Sequence, residues 1–227
     1  MKNPATIGIL RESTLHAELK NHCSRPGDRQ EVVVDGYHID IVRGEELIEI
    51  QTACFAALKP KLAALVPTHP VRLVYPISRE KVVVRLDRRK RKELSRRRSP
   101  KAAGLDELFL ELVSIPDYMA HANFSLEVLF VAIEEIRVED GKGSWRRHGQ
   151  SVLDRKLIAV LESRCFSTPE DFRALLPPDL ETPFDSRALS AASGRPRWVA
   201  QKMLYCLRKM NAVKVVGRKA TGLLYAA

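Results

Sequence analysis

The sequence predicts an α/β (α+β) domain followed by a smaller, mainly α-helical one. Three observations carry this. Residues 31–52 are dense in Val and Ile and broken twice at Gly, the mark of a strand meander. Helical periodicity flanks that meander on both sides. Beyond residue 150 the pattern turns helical and then closes on a short strand pair. The 227 residues suit two ordinary domains, and 45% hydrophobic with 29% charged residues is a globular composition.

The elements follow in order. STLHAELKNH, residues 13–22, reads as a short helix capped by Ser13 or Thr14, with Leu15 and Leu19 as its stripe. Pro26-Gly27-Asp28 mark a turn. EVVVD, YHIDIVR and ELIEIQT read as three strands joined at Asp35-Gly36 and Gly44-Glu45. Residues 54–66 look helical, with Pro60 as a blemish, and 71–77 and 81–87 read as two further strands. RRKRKELSRRRSPK, residues 88–101, holds nine basic residues and one acidic, so 88–104 reads as a solvated linker. Leu105, Leu108, Phe109, Leu112 and Val113 give 105–113 a helical stripe that Pro116 ends, and 125–139 reads as a strand completing the first sheet. GKGSWRRHG, 141–149, is a second basic connector. SVLDRKLIAVLESRC, from 151, reads as a helix, and TPEDFRALL as another with Thr168 as cap and Pro169 in its first turn. A helix at 186–192, a turn at Gly194, a longer helix at about 196–210 and two short terminal strands complete the chain. The domains are then 1–140 and 149–227, with no internal repeat.

A formal net charge of +10 favours a polyanionic partner. No apolar run reaches the roughly 18 residues of a membrane span, and the N-terminal residues lack the apolar stretch of a signal peptide. Cys23, Cys54, Cys165 and Cys206 are far apart, which argues against a structural zinc site and fits reduced thiols in a cytoplasmic protein.

The sharpest chemical signal is HIDIVRGEELIEIQ. With Gly44-Glu45 as a two-residue loop, Arg43 faces Glu46, Val42 faces Leu47, Ile41 faces Ile48, and Asp40 faces Glu49. Opposed side chains have Cβ atoms about 4.5–5.5 Å apart. Gln51 shares their face, while Ile39, Ile41, Ile48 and Ile50 turn toward a core. Two facing carboxylates repel, and Mg²⁺ or Mn²⁺ is the natural compensator, since such ions use one or two carboxylates plus water and phosphate oxygens. The alternative is a solvated pair, or one acid bonded to a basic neighbour.

The order helix, meander, helix, strand over about residues 10–87 resembles the core of the PD-(D/E)XK superfamily, the restriction-endonuclease-like and Holliday-junction-resolvase-like nucleases. That resemblance implies a mixed sheet, a metal held by Asp40 and Glu49, and DNA phosphodiester hydrolysis. Glu49-Ile50-Gln51 stands where the family has E-x-K, so Gln51 replaces the lysine that orients water. Glu18 in LHAELK matches the helix carboxylate, with Glu12 as substitute, and Lys20 or Lys59 could supply the missing charge. His38 and His16 could flank the site.

Residues 151–227 resemble a winged helix-turn-helix domain. Val199, Met203, Cys206, Leu207 and Met210 give the second helix an apolar face, and Arg195, Arg197, Gln201 and Lys202 cluster at its N-terminal half, the end that meets the major groove in such domains. Arg218 and Lys219 would sit on the wing. Arg88, Arg89, Lys90, Arg96, Arg97 and Arg98 of the linker would add phosphate contacts. The expected protein is a bacterial, cytoplasmic, metal-dependent endodeoxyribonuclease acting on duplex or branched DNA, without membrane attachment, as a homodimer or within a larger complex. Its alternative is a non-catalytic DNA-binding regulator, or a subunit of a defence or repair complex, on an eroded nuclease fold.

Overall fold

The computed structural model describes residues 13–100, 103–220 and 222–227, and is an α+β structure built on one large mixed sheet. Helix α1 (Thr14–Cys23) is capped by Ser13, whose hydroxyl accepts from the His16 amide. The meander follows as β1 (Arg29–Val34), β2 (Tyr37–Arg43) and β3 (Glu46–Ile50), all antiparallel. The register at the second turn is the expected one: Arg43 opposite Glu46, Val42 opposite Leu47, Ile41 opposite Ile48. Gly44 takes a φ of 58°, which a hairpin of this length requires and a side chain would resist.

A 3-10 turn (Phe55–Leu58) leads into α2 (Lys59–Leu65). Pro60 lies in the first turn of α2, where its missing N–H has no intrahelical partner to lose, so it starts the helix rather than flawing it. The two strands expected at 71–77 and 81–87 are one, β4 (Val71–Leu86), with an irregularity between Ser78 and Glu80 absorbing the break. β4 runs parallel to β3 on one side and to β6 (Phe124–Val138) on the other. The crossover between them carries α3 (Leu108–Leu112).

Two expectations fail here. The basic segment is not a linker, because Glu93–Arg98 form β5, antiparallel to the far end of β4. Two of its cations meet acids of the sheet, with Arg96 2.5 Å from Glu134 and Arg98 3.4 Å from Glu80. Nor is 151–165 a helix. Ser151–Phe166 form β7, antiparallel to β6 along nearly its whole length. β6 is apolar and buried through most of its length, and such a strand cannot leave an edge unpaired. Leu153, Leu157 and Leu161 imitate a helical stripe, but Leu153 and Leu161 are exposed and only Leu157 packs against the core.

The sheet order is β1-β2-β3-β4-β6-β7, with β5 on β4 beyond the point where β3 ends. α2 and α3 cover one face, and α1 covers the other through Leu15 and Leu19 against Ile41, Ile48, Ile50, Val74 and Ile133. Ile39, expected beside Ile41, joins the opposite cluster. The remaining elements are α4 (Pro169–Arg173), α5 (Ser186–Ser193), α6 (Arg197–Lys209) and the hairpin β8 (Lys214–Lys219) and β9 (Gly222–Ala226). The second unit therefore begins after Phe166 and not at 149. All five residues expected on the apolar face of α6 are buried, in the same cluster as Phe109 and Leu112 of α3, so the C-terminal helices share the sheet's core.

Candidate functional site

The meander turn brings Asp40 and Glu49 together at the end of β2 and β3 nearest α2. Both are mostly buried, with side-chain exposures of 13% and 12%. Asp40 Oδ2 accepts from the Ile50 amide at 2.7 Å and lies 3.3 Å from His16 Nε2. The same His16 nitrogen is 2.9 Å from the Ile50 carbonyl, so α1 reaches the site through His16. Lys61 of α2 closes the other side, its ammonium 2.5 Å from Glu49 Oε1 and also donating to the His38 carbonyl. Glu49 Oε2 is buried and has no hydrogen-bond partner among the described residues.

The two acids titrate apart. Burial pushes Asp40 up, but His16, the Ile50 amide and the Lys61 charge outweigh it and hold the carboxyl below its ordinary range. For Glu49, burial and then the Asp40 charge dominate; Lys61 offsets only part of this, and the carboxyl is pushed up to about 7. Two mostly buried carboxylates, one held ionised and one pushed toward its acid form, thus meet beside an oxygen without a partner.

Several expected site residues lie elsewhere. Glu18 faces β7, where its Oε2 accepts the Leu157 amide at 2.5 Å, because α1 lies across the sheet and turns that side of the helix away from β3. The Gln51 amide donates to the Ala53 and Cys54 carbonyls, pinning the loop in which Cys54 takes a φ of 61°, so this NH₂ group is committed to the backbone. Lys20 pairs with Glu31 and Lys59 is exposed. His38 is exposed and contributes its carbonyl to Lys61, and Glu12 lies outside the described residues. Lys61 was legible in principle: Leu58, Leu62 and Leu65 form the buried stripe of this turn and helix, and Lys61 flanks it one turn beyond Leu58.

A cleft of about 260 Å³ lies beyond Gln51 in the chain, lined by Thr52, Ala53, Tyr75, Ser78, Lys81 and Arg155 among others but by none of Asp40, Glu49, His16 and Lys61. Lys81 and Arg155 are held by Glu135, at 3.4 and 3.1 Å, with Arg137 on the same carboxylate at 2.6 Å. That acid, also missed in the sequence, is 3% exposed. Among the described residues no group of three or more His, Cys, Asp or Glu is gathered into a metal cage. The pair at Asp40 and Glu49 is the narrower arrangement.

The basic residues are dispersed. Arg88, Arg89 and Lys90 are exposed at the β4–β5 turn, and Arg96, Arg97 and Arg98 lie exposed on β5. Arg195 is tied to Asp106 at 3.0 Å, and Arg197 donates to Ser186 at 3.1 Å. Gln201 is exposed, Lys202 half-buried, and Arg218 and Lys219 are exposed at the end of β8. From Asp185 to Ala227 the sequence has nine Lys or Arg against the single acid Asp185, a local net charge of +8.

Residues 13–167, from α1 to the end of β7, match the family described as Domain of unknown function (DUF8091), and the chain belongs to it. It is also similar to an "Uncharacterized protein" of Treponema pallidum (strain Nichols), 35% identical over 162 residues. The match covers 71% of this chain and 64% of that relative, so it leaves over a third of the relative's length outside the alignment. No solved structure matches. The four cysteines are unpaired, and no helix among the described residues is long and apolar enough to cross a membrane.

Proposed function

We propose that the chain is a metal-dependent endonuclease of the PD-(D/E)XK kind, with the α5–α6 pair and the β8–β9 hairpin serving as a winged helix-turn-helix reader of DNA. The carrying observation is the buried, unpartnered Glu49 Oε2 facing Asp40. A divalent cation fits that observation, because it would satisfy the oxygen and relieve the repulsion that raises the Glu49 carboxyl. Asp40 and Glu49 would hold Mg²⁺ or Mn²⁺, which supplies Lewis-acid stabilisation of phosphoryl charge and an acidified water. Lys61, from α2, would take over the role of the absent family lysine. Its ammonium already holds Glu49, and from there it can offset negative charge at a phosphodiester. His16 keeps Asp40 ionised and oriented. The cationic wall of Lys81 and Arg155 faces the cleft where a nucleic-acid strand would pass. Binding energy comes from counterion release at the basic hairpins and at α6.

The commitment of the Gln51 amide to its own loop favours one other reading, a DNA-binding regulator or complex subunit on an eroded nuclease fold. Incubation of plasmid and branched DNA with Mn²⁺ separates the two. Nicking that falls by at least about 100-fold in Asp40→Ala supports the enzyme. DNA binding without cleavage of any substrate leaves the regulator.

A further inference from the structure

β4, β5, β6 and β7 continue well past the end of β3 as a narrow arm. Val74 of β4 is the last residue beside β3, and Leu86 is twelve residues further on, on the order of 40 Å along the strand. Register places Leu86 beside Val138 and Val138 beside Ser151, so the β4–β5 and β6–β7 turns emerge side by side at the tip. The first turn is five consecutive exposed cations, Arg88 to Lys92, whose backbone is held by Asp87 accepting the Arg91 and Lys92 amides. The second displays Trp145 at 82% exposure.

That tryptophan is not on a loose loop. It opens a short 3-10 turn (Trp145–Arg147) clamped at its base by hydrogen bonds from the Gly143 amide to the Gly149 carbonyl and from the Gly149 amide to the Ser144 carbonyl. A Cβ on Gly143 would stand 1.8 Å from the Gln150 carbonyl oxygen, so the strands at the base of this turn close only because residue 143 has no side chain. A shaped, pinned turn holds a mostly exposed indole beside a block of positive charge. The arrangement matches the two requirements of unpaired-strand binding: an aromatic platform on which a base stacks, and cations for the flanking phosphates.

We infer that the arm tip binds a single-stranded nucleic-acid segment through stacking on Trp145, which makes branched or partly unpaired DNA the substrate class. The inference rests on the nucleic-acid reading above but not on catalysis. It is tested with the full chain in EDTA, carrying Trp198→Phe so that emission reports Trp145 alone. An oligothymidylate of about twenty nucleotides is compared with a blunt duplex of equal length. Quenching by the oligothymidylate is expected. Read by the anisotropy of a dye-labelled oligothymidylate, Trp145→Ala should weaken that binding about tenfold, with less than about twofold change on labelled duplex and an unchanged melting temperature, and Trp145→Phe should restore most of it. Equal losses on both DNAs, or none on the single strand, overturn the stacking site while leaving DNA binding through other cations intact. A blue shift with phosphatidylserine vesicles and no response to oligothymidylate overturns it in favour of a membrane-surface contact. Failure to bind either DNA removes the nucleic-acid reading itself.

Discussion

Glu49 and Glu135 are acids buried in the same sheet, and they titrate in opposite directions. Burial raises both. Glu135 then meets three cations, Arg137, Lys81 and Arg155, and falls to about 2. Glu49 meets one cation, Lys61, and one anion, Asp40, and rises to about 7. Depth does not separate them; local charge balance does. Around Glu135 the surplus is positive and the hydrogen bonding is satisfied, which is how a structural ion cluster looks. Around Glu49 the surplus is negative and one oxygen has no partner, which is how a cation site looks.

The comparison breaks most visibly at Glu135. Glu135→Gln leaves Arg137, Lys81 and Arg155 without their shared counter-charge. Partial exposure of these cations tempers the effect, and the loss should be about 2 kcal/mol in denaturant unfolding at pH 7. The folded-state value lies below the ordinary 4.5, so the stabilisation is present above about pH 4.5 and fades as pH falls toward about 2. A loss under about 1 kcal/mol at pH 7 means that the three cations are solvated and the cluster is incidental.

Glu49 should behave in the opposite sense. Its carboxyl is raised from 4.5 to about 7, so the unfolded chain gives up this proton first as pH rises. Stability attributable to Glu49 is full below about pH 4.5 and falls until about pH 7. Glu49→Gln should therefore stabilise the protein at pH 8 by about 2 kcal/mol, less than the full shift implies because Lys61 loses its ion pair. At pH 4 the gain should vanish. The same variant should lose the rise in melting temperature that Mn²⁺ gives the parent. Destabilisation at pH 8 with an unchanged Mn²⁺ response contradicts the cation site.

Why the meander was legible and the arm was not follows from the range of the interactions. Gly44-Glu45 fixes register locally as far as Ile41 and Ile48, so the approach of Asp40 to Glu49 could be read from a few adjacent residues. The fate of 151–165 depends on a separate strand, paired from Val138 with Ser151 to Leu126 with Phe166, since β6 needs a partner, and its bulges disguise the period of two. The basic segment 88–101 looked unable to fold because its acids, Glu80 and Glu134, are distant in sequence. Glu135 was hidden for the same reason: it acquires its meaning only from partners on other elements. The C-terminal helices were read correctly as elements, but not as sharing the sheet's core.

The smallest effect tests which residue of α1 belongs to the site. Glu18 was expected there, yet its carboxylate accepts the Leu157 amide of β7. This bond and the one from Thr14 to Asp154 at 2.6 Å hold α1 to the sheet's edge strand. Glu18→Ala removes an acceptor from a part-buried amide and should cost about 1 kcal/mol. Because α1 still packs through Leu15 and Leu19, His16 should stay beside Asp40, and Mn²⁺ should bind as in the parent. Calorimetric titration with Mn²⁺ decides the matter. A tenfold or greater loss of affinity in Glu18→Ala, with no greater loss of stability, would mean that the carboxylate swings to the cation when one is present, and that the division between structural and metal-binding acids drawn from Glu135 and Glu49 does not extend to α1.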